Sequence, residues 1–495
     1  MALEFFSFVF LFFMIFSLVI YWLLNGKTKL QNVFLMILSY IFYCLISIWL
    51  GVIILISTIF NFATGYKIGT TKKTEFKKYL LYSAIVCNIA YLFVFRYFNF
   101  FSTEMFNLLN SFGLTISPYL LYLIIPIGIS YYTLSALSYN LDIYWNNIKP
   151  TKNFISFSLF MVYFPKIIAG PIERPSTLIP QLSIKKHLTE KDISGAIQLI
   201  LIGLFKKIVI ADFLQGFTHG LYDNPSRFSS TEALIIVWLF VIQLYADFSG
   251  YTSIVRGISR FFGINLRINF KQPLLSTNIS DLWRRWHMSL TSWMRDYLYI
   301  PLGGNKKGFS RSSLNLIIVF LIAGLWHGPL ITMAIWGLIS GVYIIFHRIY
   351  SMLIQKWSFF NKLKSMNLKN SPLKYILLRY FYLFMAWFIT FQIFAISVTF
   401  FATEDLRHAL KITRLILSFQ FNFSYDDYLY KLINLLIFSS ILTLLFDIPE
   451  YKLKTDEIFT KLHWILRGLC FLFMVIMIIL FRFAPTEGAF LYEGY

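Results

Sequence analysis

Charge is what this chain has least of. Only 14% of its 495 residues are Asp, Glu, Lys or Arg, where soluble globular domains carry about a quarter. Acid is scarcer than base, 23 residues against 44. On a soluble protein that excess would suggest nucleic acid. Here the bases gather in short loops between apolar runs, the pattern that orients helices in a bilayer and not a nucleic-acid surface. Cysteine is nearly absent: Cys44, Cys87 and Cys470 all lie in apolar runs. They share no metal-ligand spacing, which argues against a disulfide framework or a metal site and predicts three small core residues. No soluble domain, globular-size linker or internal repeat is visible. The start, Met1-Ala-Leu-Glu-Phe5, has no basic n-region and no small-residue cleavage site after it, so a retained first span is expected.

What remains is apolar: 58% hydrophobic and 20% aromatic. About 20 helical residues cross a bilayer. Runs of that kind recur from Phe5–Leu24 to His463–Phe481, and their parity predicts about twelve crossings with both termini outside. Residues 67–78 hold five lysines and one glutamate and residues 348–374 hold six Lys or Arg and no acid, so both read as cytoplasmic. Phe101–Pro118 reads as an external segment and Tyr119–Leu141 as a span with a permitted break at Pro126 and Gly128. Gly170–Leu182 has three prolines and reads as a re-entrant or capping element, not one continuous helix. Leu432–Leu445 reads as a span followed by a cytoplasmic segment at Asp447–Lys461. The expected fold is all-α: a polytopic membrane domain over residues 1–482, with re-entrant or amphipathic cytoplasmic helices around a central tunnel, and an external tail at 483–495.

Two histidines, His287 and His327, stand forty residues apart in the most distinctive stretch. His327 ends an apolar run at Gly328-Pro329, about 20 Å along a helix counted from Leu314. An ionisable group at that depth is costly and marks a functional site by default; a core histidine bonded to a backbone carbonyl is the bland alternative. An imidazole beside a helix break that opens onto a cavity can act as general base. His287 follows Asp281-Leu-Trp-Arg-Arg-Trp286. Helical spacing would put it near Trp283 and Leu290 on one face, with Arg284 and Arg285 turned elsewhere. An interfacial amphipathic helix explains the arginines and tryptophans but does not require the histidine. The cationic segment 284–311, with Gly303-Gly304, could hold a phosphorylated donor or could only set topology. Asp247 could be a catalytic acid or a structural partner for an arginine, and the structural reading is favoured. At the end of the chain Tyr492 offers a phenol that could carry an acyl group were a base nearby.

These residues resemble a known family. Pro126–Ser130, Ala169-Gly-Pro-Ile-Glu-Arg-Pro175, Asp247-Phe-Ser-Gly-Tyr251, Asp281–Leu290, Arg295–Asn305 and Gly324-Leu-Trp-His-Gly328 are together similar to the membrane-bound O-acyltransferases. The likeness is greatest to their AlgI/PatA-like bacterial branch, which acetylates cell-envelope polysaccharides, and it covers nearly the whole chain. It implies that His327 is the principal catalytic histidine and His287 the second. It implies that Trp283, Arg284, Arg285, Trp286 and Arg295 floor a cytoplasmic funnel for an acetyl thioester such as acetyl-CoA, with no metal or other cofactor. It implies an outer partner of the SGNH/GDSL esterase-like class, residence in a bacterial inner membrane, and Tyr492 as transient acyl acceptor through its likeness to a Phe-x-Tyr-x-x-aromatic terminal motif. Peptidoglycan is the favoured polymer over an alginate-like one. Ser253 and Arg256 depart from the branch, where an aspartate and an apolar residue are usual. Acylation of a lipid or teichoic acid is the rival enzyme reading. A proton-coupled transporter is the rival from another class, though only one broken helix here carries a histidine.

Overall fold

A computed structural model describes residues 8–114, 116–356, 372–418, 420 and 427–482. All the regular structure among them is helical. The helices are α1 (Phe8–Leu23), α2 (Thr28–Cys44), α3 (Ile48–Thr70), α4 (Thr74–Ser111), α5 (Ile129–Tyr144), α6 (Phe154–Val162), α7 (Pro175–Ser183), α8 (Glu190–Asp223), α9 (Ser230–Phe261), α10 (Ile279–Arg285), α11 (Met288–Met294), α12 (Gly308–His327), α13 (Ile331–Gln355), α14 (Leu373–Phe401), α15 (Leu406–Leu417), α16 (Asp427–Leu453) and α17 (Trp464–Arg482). Nine of these, among the described residues, are long and apolar enough to cross a membrane. Side chains such as Leu466, Leu469, Leu472 and Ile476 of α17 stand exposed. In a bilayer such faces meet hydrocarbon, and every backbone polar group is satisfied within its own helix.

The chain divides into two compact units: residues 1–200 with 252–267, and residues 201–251 with 268–495. In the first, Phe13, Phe42 and Phe164 pack ring on ring at 5.5–5.8 Å. Three amides join α3, α4 and α5 at depth: Asn61 and Asn88 exchange hydrogen bonds of 3.2 and 2.8 Å, and Asn140 donates to Asn61 at 2.9 Å. With no hydrophobic drive between helices in lipid, such polar contacts act as interhelical glue. Gln181 and Glu173 tie α7 and its approach to the 265–267 strand of chain: Asn265 N donates to Gln181 at 2.9 Å and Arg267 N to Glu173 at 2.6 Å. The second unit contains both distinctive histidines.

Several boundaries differ from the expected ones. The segment expected outside at Phe101–Pro118 is helical up to Ser111, as the end of α4. Tyr119–Leu141 is interrupted at the expected place, since α5 starts only after Gly128, whose φ of +73° no helix continues through, but the half before the break is irregular and not helical. Pro175 opens α7 at a position where no N–H is needed, and Pro180 sits inside it; irregular chain at 170–174 gives the break expected in this stretch. Asp447 and Glu450 lie buried on α16, which runs on past Leu445. Of the cysteines, Cys87 is exposed on α4 and the other two are half-buried, so none belongs to the core.

The hairpin of α12 and α13 depends on two glycines. A Cβ at Gly324 would meet the Met333 carbonyl, and one at Gly337 would meet the Phe320 carbonyl. These are backbone atoms and cannot swing aside. Gly337→Ala should therefore lower stability by about 1–3 kcal/mol through overpacking, read as a fall in thermal midpoint in detergent. An unchanged midpoint would mean that the helices separate at no cost.

Candidate active site

The site is built where short helices meet that hairpin. Asn278 caps α10, its side-chain oxygen accepting from Asp281 N at 2.8 Å. The helix ends at once, and His287 follows with φ +41°, ψ +53°. This left-handed conformation is uncommon for a residue with a Cβ, though histidine tolerates it better than most. Asn269 holds the turn: its carbonyl accepts from Met288 N at 2.8 Å and its side-chain oxygen from Ser289 N at 3.2 Å. One continuous helical face carrying Trp283, His287 and Leu290 is thus not formed. The turn nevertheless brings all three to the wall of one cavity.

His327 is the last residue of α12, and Gly328 leaves the helix in extended conformation. Its ring packs edge-on against Trp326 at 4.9 Å, Trp336 at 5.2 Å and Phe401 at 5.4 Å, and lies 6.4 Å from that of His287. His287 in turn meets Phe248 at 4.8 Å. The two imidazoles are 6% and 2% exposed.

Both line a cavity of about 230 Å³, together with Trp283, Trp286 and Trp336. Arg284 and Arg295 also line it and are exposed, so cationic groups stand at the rim of an otherwise apolar pocket. Arg295 is paired with Asp296 at 2.8 Å. Arg285 is not brought to the cavity. It pairs with Asp281 at 2.8 Å and lies over the Tyr451 ring at 5.2 Å. Nor does the Gly303-Gly304 turn present backbone donors to a ligand, since these amides donate to the carbonyls of Ile300 and Tyr299 at 3.0 and 2.9 Å. The indole nitrogens of Trp283 and Trp336 are buried and have no acceptor among the described residues. A buried donor left in that state costs about 1–3 kcal/mol. Tyr492 lies outside the described residues.

Burial drives the His287 imidazole down to about 3, because desolvation disfavours the cation. Burial therefore favours the neutral ring at ordinary pH. An unfolded chain would bind the proton near the usual 6.5. The stability contribution is thus present above about 6.5 and lost as pH falls toward 3, at roughly 1.4 kcal/mol per unit. From pH 7.5 to 5, His287→Asn should lose less thermal stability than the unaltered protein; equal losses would exclude a buried neutral ring.

Sequence reasoning missed several residues around this site. Trp336, Phe401 and Phe248 reach the histidines only through packing, with no spacing signal. It also missed two lysines in the widened π-helical segment Phe205–Asp212 of α8. Lys207 bridges Asp212 and Asp247 at 2.7 Å each. Lys206 meets Asp447 at 3.5 Å, where Tyr245 also donates at 2.9 Å. Asp247 does have a structural ion-pair partner, Lys207. Two buried lysines in a long apolar run were a readable anomaly.

Among the described residues the chain is an all-helical membrane protein with two imidazoles on the wall of one cavity. A model of the membrane-bound O-acyltransferase family matches residues 2–390, and the chain belongs to that family. Relatives agree. A peptidoglycan O-acetyltransferase of Helicobacter pylori is 33% identical over 423 residues, 80% of this chain and 76% of the relative. A probable alginate O-acetylase, AlgI, of Pseudomonas putida is 36% identical over 350 residues, 69% of each. A teichoic acid D-alanyltransferase of Bacillus subtilis is 27% identical over 249 residues, 48% of this chain and 60% of the relative. The protein is an O-acyltransferase of a multi-pass membrane type, which sets the transporter reading aside.

Proposed function

We infer that this enzyme takes an acetyl group from a cytoplasmic thioester, acetyl-CoA, and delivers it through the membrane for O-acetylation of a cell-envelope polysaccharide. Peptidoglycan is favoured over an alginate-like polymer because the peptidoglycan-acting relative aligns over the greater share of this chain. The observation that carries the reading is the cavity that His287 and His327 share, with Arg284 and Arg295 at its exposed rim. Arginines suit the phosphates of a nucleotide carrier, and the apolar interior suits a short acyl group on its thioester arm. In the reaction His327 takes the proton of the attacking hydroxyl. The hydroxyl oxygen bonds to the carbonyl carbon, the carbon–sulfur bond breaks, and the thiolate leaves with the proton that His327 held. His287 positions donor or acceptor as a neutral ring.

Tyr492 is the proposed first acceptor on the outer side, forming an acyl-tyrosine that an SGNH/GDSL-type partner then empties onto the sugar. The enzyme sits in the inner membrane with both termini outside in this scheme. Arg285 serves the donor funnel only indirectly, by holding Asp281. Incubating purified protein with radiolabelled acetyl-CoA tests the relay. Label should remain on the unaltered chain and be absent from Tyr492→Phe; equal labelling of the two would remove Tyr492 from the pathway. A second reading, D-alanyl transfer to teichoic acid, rests on the B. subtilis relative and would appear as turnover with a D-alanyl thioester and none with acetyl-CoA.

A further inference from the structure

We propose that the indole N–H groups of Trp283 and Trp336 hold the carbonyl oxygen of the acyl thioester and stabilise the oxyanion formed from it. The proposal rests on the reading above, that acyl transfer takes place in the cavity lined by the two histidines.

Both indole nitrogens are buried donors with no acceptor among the described residues, and both rings line that cavity. Indole N–H can only donate, and buried tryptophans normally find an acceptor. Others in the same unit do so: Trp387 donates to the Leu274 carbonyl at 2.7 Å and Trp238 to the Gln392 side chain at 3.2 Å. Trp283 and Trp336 are neighbours. Their rings are 5.7 Å apart, and that of Trp336 is 5.2 Å from His327 at 86°. Apolar side chains, including Leu290, Val319 and Phe320, make up most of the lining, and neither indole nitrogen has an acceptor among the described residues. A ligand that satisfies this arrangement brings an acceptor oxygen into a mostly apolar pocket next to His327. A thioester carbonyl has that chemistry.

The role in the step follows. As the hydroxyl oxygen bonds to the carbonyl carbon and His327 takes its proton, the C=O π pair moves onto oxygen. The indole donors meet that charge where it develops, in a low-dielectric site where preorganised donors count most. When the pair returns, the carbon–sulfur bond breaks and the thiolate leaves with the proton.

The test compares acetyl-CoA with its S-ethyl thioether, which has CH2 in place of the carbonyl. Trp336→Phe and Trp283→Phe keep an aromatic ring and lose the N–H. Replacing either tryptophan with benzothienylalanine keeps the double ring as well. Expected are a fall in kcat of about 10²-fold per donor removed, weaker acetyl-CoA binding, and thioether binding within twofold of the unaltered protein. Equal weakening for both ligands, or an unchanged kcat in the benzothienylalanine proteins, would overturn the proposal by leaving the indoles a packing role. A failure of the underlying reading looks different: the unaltered protein would then neither bind nor turn over the thioester.

Discussion

His327→Ala should lower acyl transfer by about 10²–10⁴-fold, the usual worth of a positioned general base and roughly 2.7–5.4 kcal/mol of barrier. The imidazole lies at the end of α12, 6% exposed, between Trp326, Trp336 and Phe401. Alanine removes the base and also leaves a space among those rings. His327→Gln separates the two effects, since it fills most of the space without accepting the hydroxyl proton as readily. Both variants should lose turnover alike while donor binding stays within a few fold. Transfer that survives within threefold in both would show that the reaction does not pass through this imidazole.

The largest structural effect is expected at Lys207→Met. The ammonium sits 2.7 Å from Asp212 and from Asp247, and its side chain is 5% exposed and that of Asp247 1%. Without it two buried carboxylates lose the ammonium that they share. Breaking a buried pair in this way costs about 3–5 kcal/mol, seen as a large drop in unfolding midpoint or in yield of folded protein. Adding Asp247→Asn should restore part of the loss, because residues of one network couple strongly. Strictly additive losses would mean that the three groups do not act together.

Much of the helical plan can be read from the chain itself, because hydropathy over twenty residues is a strong signal and the loops between are short and basic. The end of α12 is readable too: Gly328-Pro329 cannot continue a helix, and His327 precedes it. The break at His287 is not, since no residue in Trp286-His287-Met288 forbids a helix. The turn there is held by Asn269, eighteen residues earlier. Tertiary contact decides the rest of the site. Trp336 comes to His327 because Gly324 and Gly337 let α12 and α13 close on each other, and Phe401 reaches it from the end of α14. At Asp447 charge ends the apolar window that marks a span, yet its partners Lys206 and Tyr245 lie more than two hundred positions away and keep it inside.

The left-handed backbone at residue 287 also decides what mutagenesis there can report. Glycine adopts that conformation freely and asparagine nearly so, whereas valine or isoleucine is forced out of it. His287→Gly therefore deletes the ring while the chain keeps its course from α10 to α11. A β-branched replacement disturbs Trp286 and Met288 at the same time, so a loss of activity in it says nothing about the imidazole.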